Sequence, residues 1–389
     1  MKGLYKYFPA FAPDYAGVSS FLFDENALTV FIDPHGCNGQ TLYYMDPRFE
    51  DFSRMPKSFS CGIREKDAVF GVDKLVEKKV MQILDCVQGD YIVLVGTPIP
   101  TMLGVDYKAL ADRIEKRAKI PTLGVTTSGF DFYDVGQKKI MNLMLNRTET
   151  QSERFGSEEA DIHLIGATPL DGWDYTTISD YTAFLKKCGA NTVDVWGQGN
   201  TFQKMKGVGN SKLNIAVSVA GIEIAQRLYH TYGTPYLIGY PIGSVMEEYY
   251  AKLVAFHLDM KCRMPMLKIA SDTEQPRILI IGSPVNSCMI RKYLGAQKGM
   301  TDIDIGFCFG VPAECKEEND FVFFEEEELH QIIMLKGKYD IIIGDPLFKN
   351  SLFSFTERYV EFPEISISGR LYSNEMKRVF GKWGDNFLM

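Results

Sequence analysis

The sequence predicts an α/β protein made of three successive units, each a mostly parallel sheet flanked by helices. Short apolar runs rich in β-branched residues alternate with amphipathic helical patterns along all 389 residues, as expected when crossover helices connect parallel strands. Two polar, turn-rich stretches, residues 146–159 and 271–276, interrupt this alternation. At about 150 residues per domain the length suits two or three domains, and the two interruptions favour three.

The three predicted units are Rossmann-like and span residues 1–150, 151–272 and 273–389. In the first, we predict strands at residues 28–32, 91–95 and 122–125 and helices at residues 71–86 and 105–118. In the second, we predict strands at residues 162–165, 192–195, 215–219 and 235–238 and helices at residues 179–188, 222–232 and 245–258. In the third, we predict strands at residues 277–282, 303–307 and 340–343.

Charge and hydropathy exclude several kinds of partner. The 42 basic and 50 acidic residues give a net charge of −8 without long blocks, which argues against a nucleic-acid or membrane-surface protein. The N-terminal residues lack the apolar stretch of a signal peptide, and the most apolar segment, residues 91–105, is shorter than a bilayer requires. We therefore expect a cytoplasmic protein.

Eight cysteines are scattered along the chain without a CxxC pair or zinc-finger spacing. A disulfide framework is not expected in a chain of this size, so a metal would need ligands distant in sequence or from a second chain. The glycine-rich segment 207–212 lacks the spacing of a phosphate-binding loop and precedes a strand. We therefore predict that this chain binds no nucleotide.

Cys37 is the leading candidate for chemistry. It ends the segment Asp33-Pro34-His35-Gly36-Cys37, directly after a predicted strand. A thiol at the carboxyl end of a strand, on a glycine turn that leads into a helix, is placed to bind a soft metal or cluster. The alternative is a buried structural cysteine, since free cysteine is among the most buried residue types.

These residues resemble the nitrogenase component 1-type oxidoreductases, which include reductases of tetrapyrroles. In that family a strand followed by Pro-x-Gly-Cys supplies an iron–sulfur ligand, and a Glu-x-Asp-x-Val-Phe-Gly-Gly segment follows. The matching stretch here runs from Glu65 to Gly71, and further matches lie at residues 96–106, 120–121 and 127–130. Weaker matches extend to residue 370.

The resemblance implies an iron–sulfur cluster at a subunit interface, [4Fe–4S] or larger, with Cys37 as a ligand. Cys61, shortly before the Val-Phe-Gly segment, is a second candidate ligand or a bystander. The implied partners are a second component 1-type subunit, identical or different, and an ATP-dependent iron protein as electron donor. The implied activity is reduction of an unidentified substrate.

The sequence departs from the family pattern at three places. Where the family carries further cysteines, this chain has Pro13, Thr97-Pro98 and Ser218, and none of these residues offers a thiolate. The chain is therefore not expected to be a dinitrogen-reducing subunit with the full cofactor. A cofactor-assembly scaffold, a non-catalytic half of a heterodimer and a tetrapyrrole reductase remain alternatives.

Overall fold

The computed structural model describes residues 5–149, 160–199, 201–258, 264–267 and 275–386. The chain divides into two compact units: Ala12–Glu158 with Val195–Val208, and Met1–Phe11 with Glu159–Asp194 and Gly209–Met389. The described residues exclude Cys262 and most of the two polar stretches, residues 146–159 and 271–276. The division into three units at residues 150 and 272 therefore stays a prediction.

The first sheet lies in the first of these units and has the strand order β2-β1-β3-β4. All of its pairings are parallel. Its strands are β1 (Ala27–Phe31), β2 (Ser58–Ser60), β3 (Tyr91–Val95) and β4 (Thr122–Val125). The helices along this part of the chain are α1 (Asp14–Leu22), α2 (Gly36–Gly39), α3 (Glu65–Phe70), α4 (Asp73–Leu84), α5 (Pro98–Met102), α6 (Tyr107–Ala118) and α7 (Tyr133–Glu149).

The second sheet has the order β6-β5-β7-β8, and β7 pairs in parallel with β5 and β8. Its strands are β5 (Ile162–Ile165), β6 (Val193–Val195), β7 (Leu213–Ala216) and β8 (Tyr236–Ile238). The helices that follow these strands in sequence are α8 (Tyr175–Lys187), α9 (Thr201–Lys204), α10 (Val219–Tyr232) and α11 (Gly243–His257).

The third sheet has the order β11-β10-β9-β12-β13, and its pairings are parallel. Its strands are β9 (Ile278–Gly282), β10 (Ile303–Phe307), β11 (Phe321–Val322), β12 (Tyr339–Gly344) and β13 (Thr356–Glu361). The helices are α12 (Pro284–Lys298), α13 (Glu326–Lys336), α14 (Lys349–Leu352), α15 (Ile365–Ser368) and α16 (Gly381–Gly384). The predicted α/β class is confirmed.

The β-strand predicted at residues 215–219 begins and ends earlier in the structure, at Leu213–Ala216. Strand β7 ends at Ala216, because Ser218 caps α10: its Oγ accepts a hydrogen bond from the Gly221 backbone N–H at 3.0 Å. A serine hydroxyl at this position satisfies one of the unpaired amides of the first helical turn. The apolar run therefore continues past the end of the strand into the helix.

The core of the first sheet explains why its central strands were predicted well. Strands β1 and β3 are buried along their whole length, as expected for a parallel sheet covered on both faces. One apolar cluster joins strand residues such as Val30 and Ile92 to Val76 of α4 and Leu110 of α6. The loops at the carboxyl ends of the strands are thereby held by a fixed scaffold.

Candidate functional site

Cys37 lies at the carboxyl end of β1, on a turn that a buried carboxylate anchors. Asp33, fully buried, accepts hydrogen bonds from the backbone N–H of Asn38 at 3.0 Å and from the hydroxyl of Ser60. His35 has φ +93°, a left-handed conformation uncommon for residues other than glycine. The chain therefore reverses sharply, and Cys37 follows in the first turn of α2.

The segment after Cys37 is held by its own side chains. The Thr41 hydroxyl donates to the Cys37 carbonyl oxygen at 2.8 Å, and α2 continues into a π-helix over Gln40–Met45. Single π-helical turns recur at functional sites. The position of the Cys37 thiol is thus set by Asp33 on one side and by this irregular helix on the other.

Two hydroxyl groups lie in hydrogen-bonding contact with the Cys37 thiol: those of Tyr15 and Thr97. Both favour the thiolate. Burial of the half-exposed thiol is the larger effect, and with the negative charge of Asp33 it raises the pKa of Cys37 above its usual value. The free thiol therefore holds its proton at neutral pH, and binding a metal would release that proton.

Tyr15 and Thr97 are fixed by further contacts. The Tyr15 hydroxyl donates to Gln40 Oε1 at 2.9 Å, and the Thr97 hydroxyl donates to the Ile32 carbonyl oxygen at 2.7 Å. Tyr15 lies two residues after Pro13, and Thr97 follows β3. Thr97, at one of the places where the family pattern has a cysteine, thus supplies a hydroxyl group to Cys37, whereas Pro13 supplies no donor and Tyr15, two residues later, does.

Sequence reasoning did not identify Tyr15 as part of the site. It is far from Cys37 in sequence, and its position depends on Asp14, which accepts hydrogen bonds from the backbone N–H groups of Ser128 and Gly129 at 2.9 and 2.8 Å. Gly129 has φ +75°, and a Cβ there would lie 2.9 Å from Pro98 and 3.1 Å from Tyr15. Thr97 could have been identified from the sequence, because it follows β3 just as Cys37 follows β1, the adjacent parallel strand.

Cys61 has a different environment from Cys37. Only 2% of the residue is exposed, and it packs in the apolar cluster of the first sheet with Val30, Ile32 and Val72. Burial, followed by the charge of Asp33, raises the pKa of Cys61 to about 12. The structure therefore surrounds this thiol with aliphatic side chains, which disfavour a thiolate ligand.

Large apolar side chains are exposed on the segments that follow all four strands of the first sheet. Because carboxyl ends of parallel strands meet at one edge, these segments share the edge that carries Cys37. We call this set the apolar rim; its members are Tyr43, Tyr44, Val69, Phe70, Ile99, Met102, Leu103 and Phe130. Phe70 is 88% exposed. Exposed apolar surface of this extent is typical of protein interfaces.

Within the described ranges, no group of three or more His, Cys, Asp or Glu side chains is arranged to hold a metal ion. At the carboxyl edge of the first sheet, the described residues thus offer Cys37 as one thiol and not a complete ligand set. Ser218, at another place where the family pattern has a cysteine, is buried and caps α10. In the same described parts of the chain, no helix has the length and apolarity to cross a bilayer.

Comparison with curated proteins gives distant relatives that are longer than this chain. It is 25% identical over 313 residues to the nitrogenase molybdenum-iron protein alpha chain of Methanothermococcus thermolithotrophicus, covering 74% of this chain and 62% of that protein. It is 24% identical over 185 residues to the nitrogenase iron-molybdenum cofactor biosynthesis protein NifE of Bradyrhizobium diazoefficiens, covering 47% of this chain and 33% of that protein.

A solved structure shares the fold along almost the entire chain. The structure of nitrogenase Cp1 at pH 6.5 matches 99% of this chain and 88% of its own, with a TM-score of 0.66 and 15% sequence identity. The family model for nitrogenase component 1 type oxidoreductases matches residues 17–254, which include Cys37 and Thr97, while Tyr15 lies just before this range. The chain belongs to the nitrogenase component 1-type oxidoreductase family.

Proposed function

We propose that this chain is a redox subunit of the component 1 type, in which Cys37 helps to hold an iron–sulfur cluster between two chains. An ATP-dependent iron protein would supply electrons one at a time, and a reducible substrate would receive them. The observation that carries the proposal is the accessible Cys37 thiol, anchored by Asp33 and flanked by two hydroxyl groups.

The donor chemistry fits a cluster that is shared between chains. A four-iron cluster normally takes about four protein ligands, whereas one chain offers Cys37 alone at this edge. A second copy, or a second component 1-type subunit, would bring its own thiolates to the same place. The cluster would be [4Fe–4S] or larger.

The apolar rim supports a partner subunit as its occupant. It borders Cys37 on segments from all four strands, so a chain that covers the rim would also enclose the thiol. Enclosure matters because the cluster's potential depends on burial and on hydrogen bonds to its sulfur ligands. A bound cluster would supply one-electron transfer, and a partner seated on the rim would exclude water from it.

Tyr15 and Thr97 would tune the sulfur of Cys37. The single proton of each hydroxyl is donated to Gln40 or Ile32 in the free chain, and each hydroxyl would favour the thiolate by turning that proton to the sulfur. Hydrogen bonds to a ligating sulfur raise the reduction potential of the metal site by stabilising negative charge. The chain's own contribution is thus to position one ligand and to set its basicity.

Cys61 as a second ligand stays a prediction, and its burial in the core argues against it. A role as iron ligand would require the cluster of apolar side chains around Val30 and Val72 to open. A cytoplasmic location is part of the proposal, since a reducing compartment keeps free thiols such as Cys37 from oxidising.

The proposal is tested by anaerobic reconstitution of the full chain with iron and sulfide. We expect a brown dimer with about four irons and matching acid-labile sulfide, which a one-electron reductant bleaches and an oxidant restores. A colourless, metal-free protein after reconstitution, alone and with a co-expressed second component 1-type subunit, would refute the proposal.

A cofactor-assembly scaffold is the second candidate. Similarity to NifE and the hydroxyl-bearing residues Thr97 and Ser218 in place of thiols favour it. A scaffold would lose its iron and sulfide to an apo-acceptor protein during incubation, whereas a redox subunit would keep both through repeated reduction and oxidation. The same loaded sample therefore separates the two candidates.

A further inference from the structure

A second pair of cysteines lies in the other compact unit, outside the site described above. Cys288 lies in the first half of α12, and Cys315 ends the short 3-10 helix Ala313–Cys315. The Cys288 thiol donates to the Cys315 carbonyl oxygen at 3.1 Å, and the two thiols are hydrogen-bonding neighbours. They are the chain's only described thiols in such contact with each other.

The loop that carries Cys315 is fastened to α12. Arg291 donates to both carboxylate oxygens of Asp320 at 2.8 Å and to the Cys315 carbonyl oxygen at 3.4 Å. Asp320 also accepts hydrogen bonds from the backbone N–H groups of Ile305 and Glu317 at 2.9 and 2.8 Å. These contacts hold the loop that carries Cys315 against α12, beside the Cys288 thiol.

We propose that Cys288 and Cys315 are a redox-active dithiol that hydrogen peroxide closes to a disulfide. The Cys288 sulfur attacks the peroxide, the O–O bond breaks, and a sulfenic acid and one water form. The Cys315 sulfur then attacks the Cys288 sulfur, its proton leaves with the hydroxyl group as a second water, and the S–S bond forms. The two thiols lose two electrons and the peroxide gains them.

The charges around the pair assign the roles. The Cys315 thiol, with Arg291 and Lys292, favours the Cys288 thiolate, and the net effect lowers the pKa of Cys288 although burial and Asp320 oppose it. The pKa of Cys315 is raised, first by its hydrogen bond to Cys288 and then by burial. Cys288 is also the more exposed of the two, at 6% against 2%, so it is the attacking sulfur and Cys315 is the resolving thiol.

The test uses the full chain, reduced, freed of reductant and treated with hydrogen peroxide before alkylation and peptide mass spectrometry. We expect one dominant linked species that joins the Cys288 and Cys315 peptides, lighter by two hydrogen atoms and restored by dithiothreitol. The Cys86→Ser variant, which removes an exposed cysteine, should form the same link. Cys308, 0% exposed against 6% for the attacking Cys288, should stay reduced.

Two variants check the assigned order. In Cys315→Ser, dimedone should trap a sulfenic acid on Cys288, whereas in Cys288→Ser the Cys315 thiol should stay unmodified. The proposal is overturned if both thiols of the folded wild-type protein remain alkylatable after excess peroxide, or if Cys288 links to a different cysteine. Neither outcome depends on iron, so neither result tests the proposed function at Cys37.

Discussion

Cys37 and Cys61 follow neighbouring strands of one sheet, yet the structure gives them opposite environments. The charge of Asp33 raises the pKa of both thiols. Cys37 is half-exposed and has the hydroxyl groups of Tyr15 and Thr97 beside it. Cys61 is enclosed by aliphatic side chains and is 2% exposed.

The difference teaches that the carboxylate alone does not decide which thiol can bind metal. Solvent access and hydroxyl donors separate the two cysteines, since a thiolate needs both a path for the metal and partners for its charge. Cys37 has both, whereas the Cys61 side chain contributes to the packing of the core. Each prediction below changes one side of this contrast.

The largest expected effect on stability comes from Cys61→Ser. A hydroxyl without a partner in an apolar core costs about 1–3 kcal/mol, so the free energy of unfolding should fall by that amount. The matched variant Cys37→Ser should change it by less than about 1 kcal/mol, as for other partly exposed positions. Urea denaturation of the metal-free chain measures both. Equal losses would show that the two environments are alike.

The ionisation of Cys61 should also make the free energy of unfolding depend on pH. Its folded-state pKa of about 12 exceeds the unfolded value of about 8.5, so the stabilisation is complete below the unfolded pKa and is lost as pH rises toward 12. The loss amounts to about 1.4 kcal/mol per pH unit at most in that window. The difference between wild type and Cys61→Ala isolates this contribution. A difference independent of pH would contradict the buried, protonated thiol.

A smaller effect is expected from Tyr15→Phe. The Tyr15 hydroxyl lowers the pKa of Cys37, so its removal should raise that pKa and slow alkylation of Cys37 a few-fold near pH 8. The rate of iodoacetamide modification, followed by peptide mass spectrometry across pH, measures the shift. Tyr44→Phe, on an exposed side chain, is the control and should leave the rate unchanged. A faster reaction in Tyr15→Phe would rule out the proposed hydrogen bond.

Fold class and the central strands could be predicted because buried parallel strands are continuous apolar runs. Strand β13 was missed because Thr356, Glu357 and Arg358 make its start polar, as an edge strand allows. Strand β2 was missed because its three residues, Ser58–Ser60, are too short for a pattern. The sequence also placed Cys37 correctly at a strand end.

The environments of the two thiols could not be predicted in the same way. Cys61 stands between Ser60 and Gly62 and resembles a loop residue, but Ser60 bonds to Asp33 and the Cys61 backbone N–H donates to the Phe31 carbonyl oxygen at 2.9 Å. These contacts draw Cys61 into the core. Tyr15 reaches Cys37 only through Asp14 and the loop after β4, a long-range arrangement that no local pattern encodes.

Iron and acid-labile sulfide in the anaerobically reconstituted Cys37→Ala and Cys61→Ala variants test the central claim most directly. We expect Cys37→Ala to lose nearly all bound iron while it stays folded. Cys61→Ala should keep the wild-type content of about four irons per dimer. Full iron loading of Cys37→Ala, or loss of iron in a folded Cys61→Ala alone, would contradict the assignment of Cys37 as the cluster ligand.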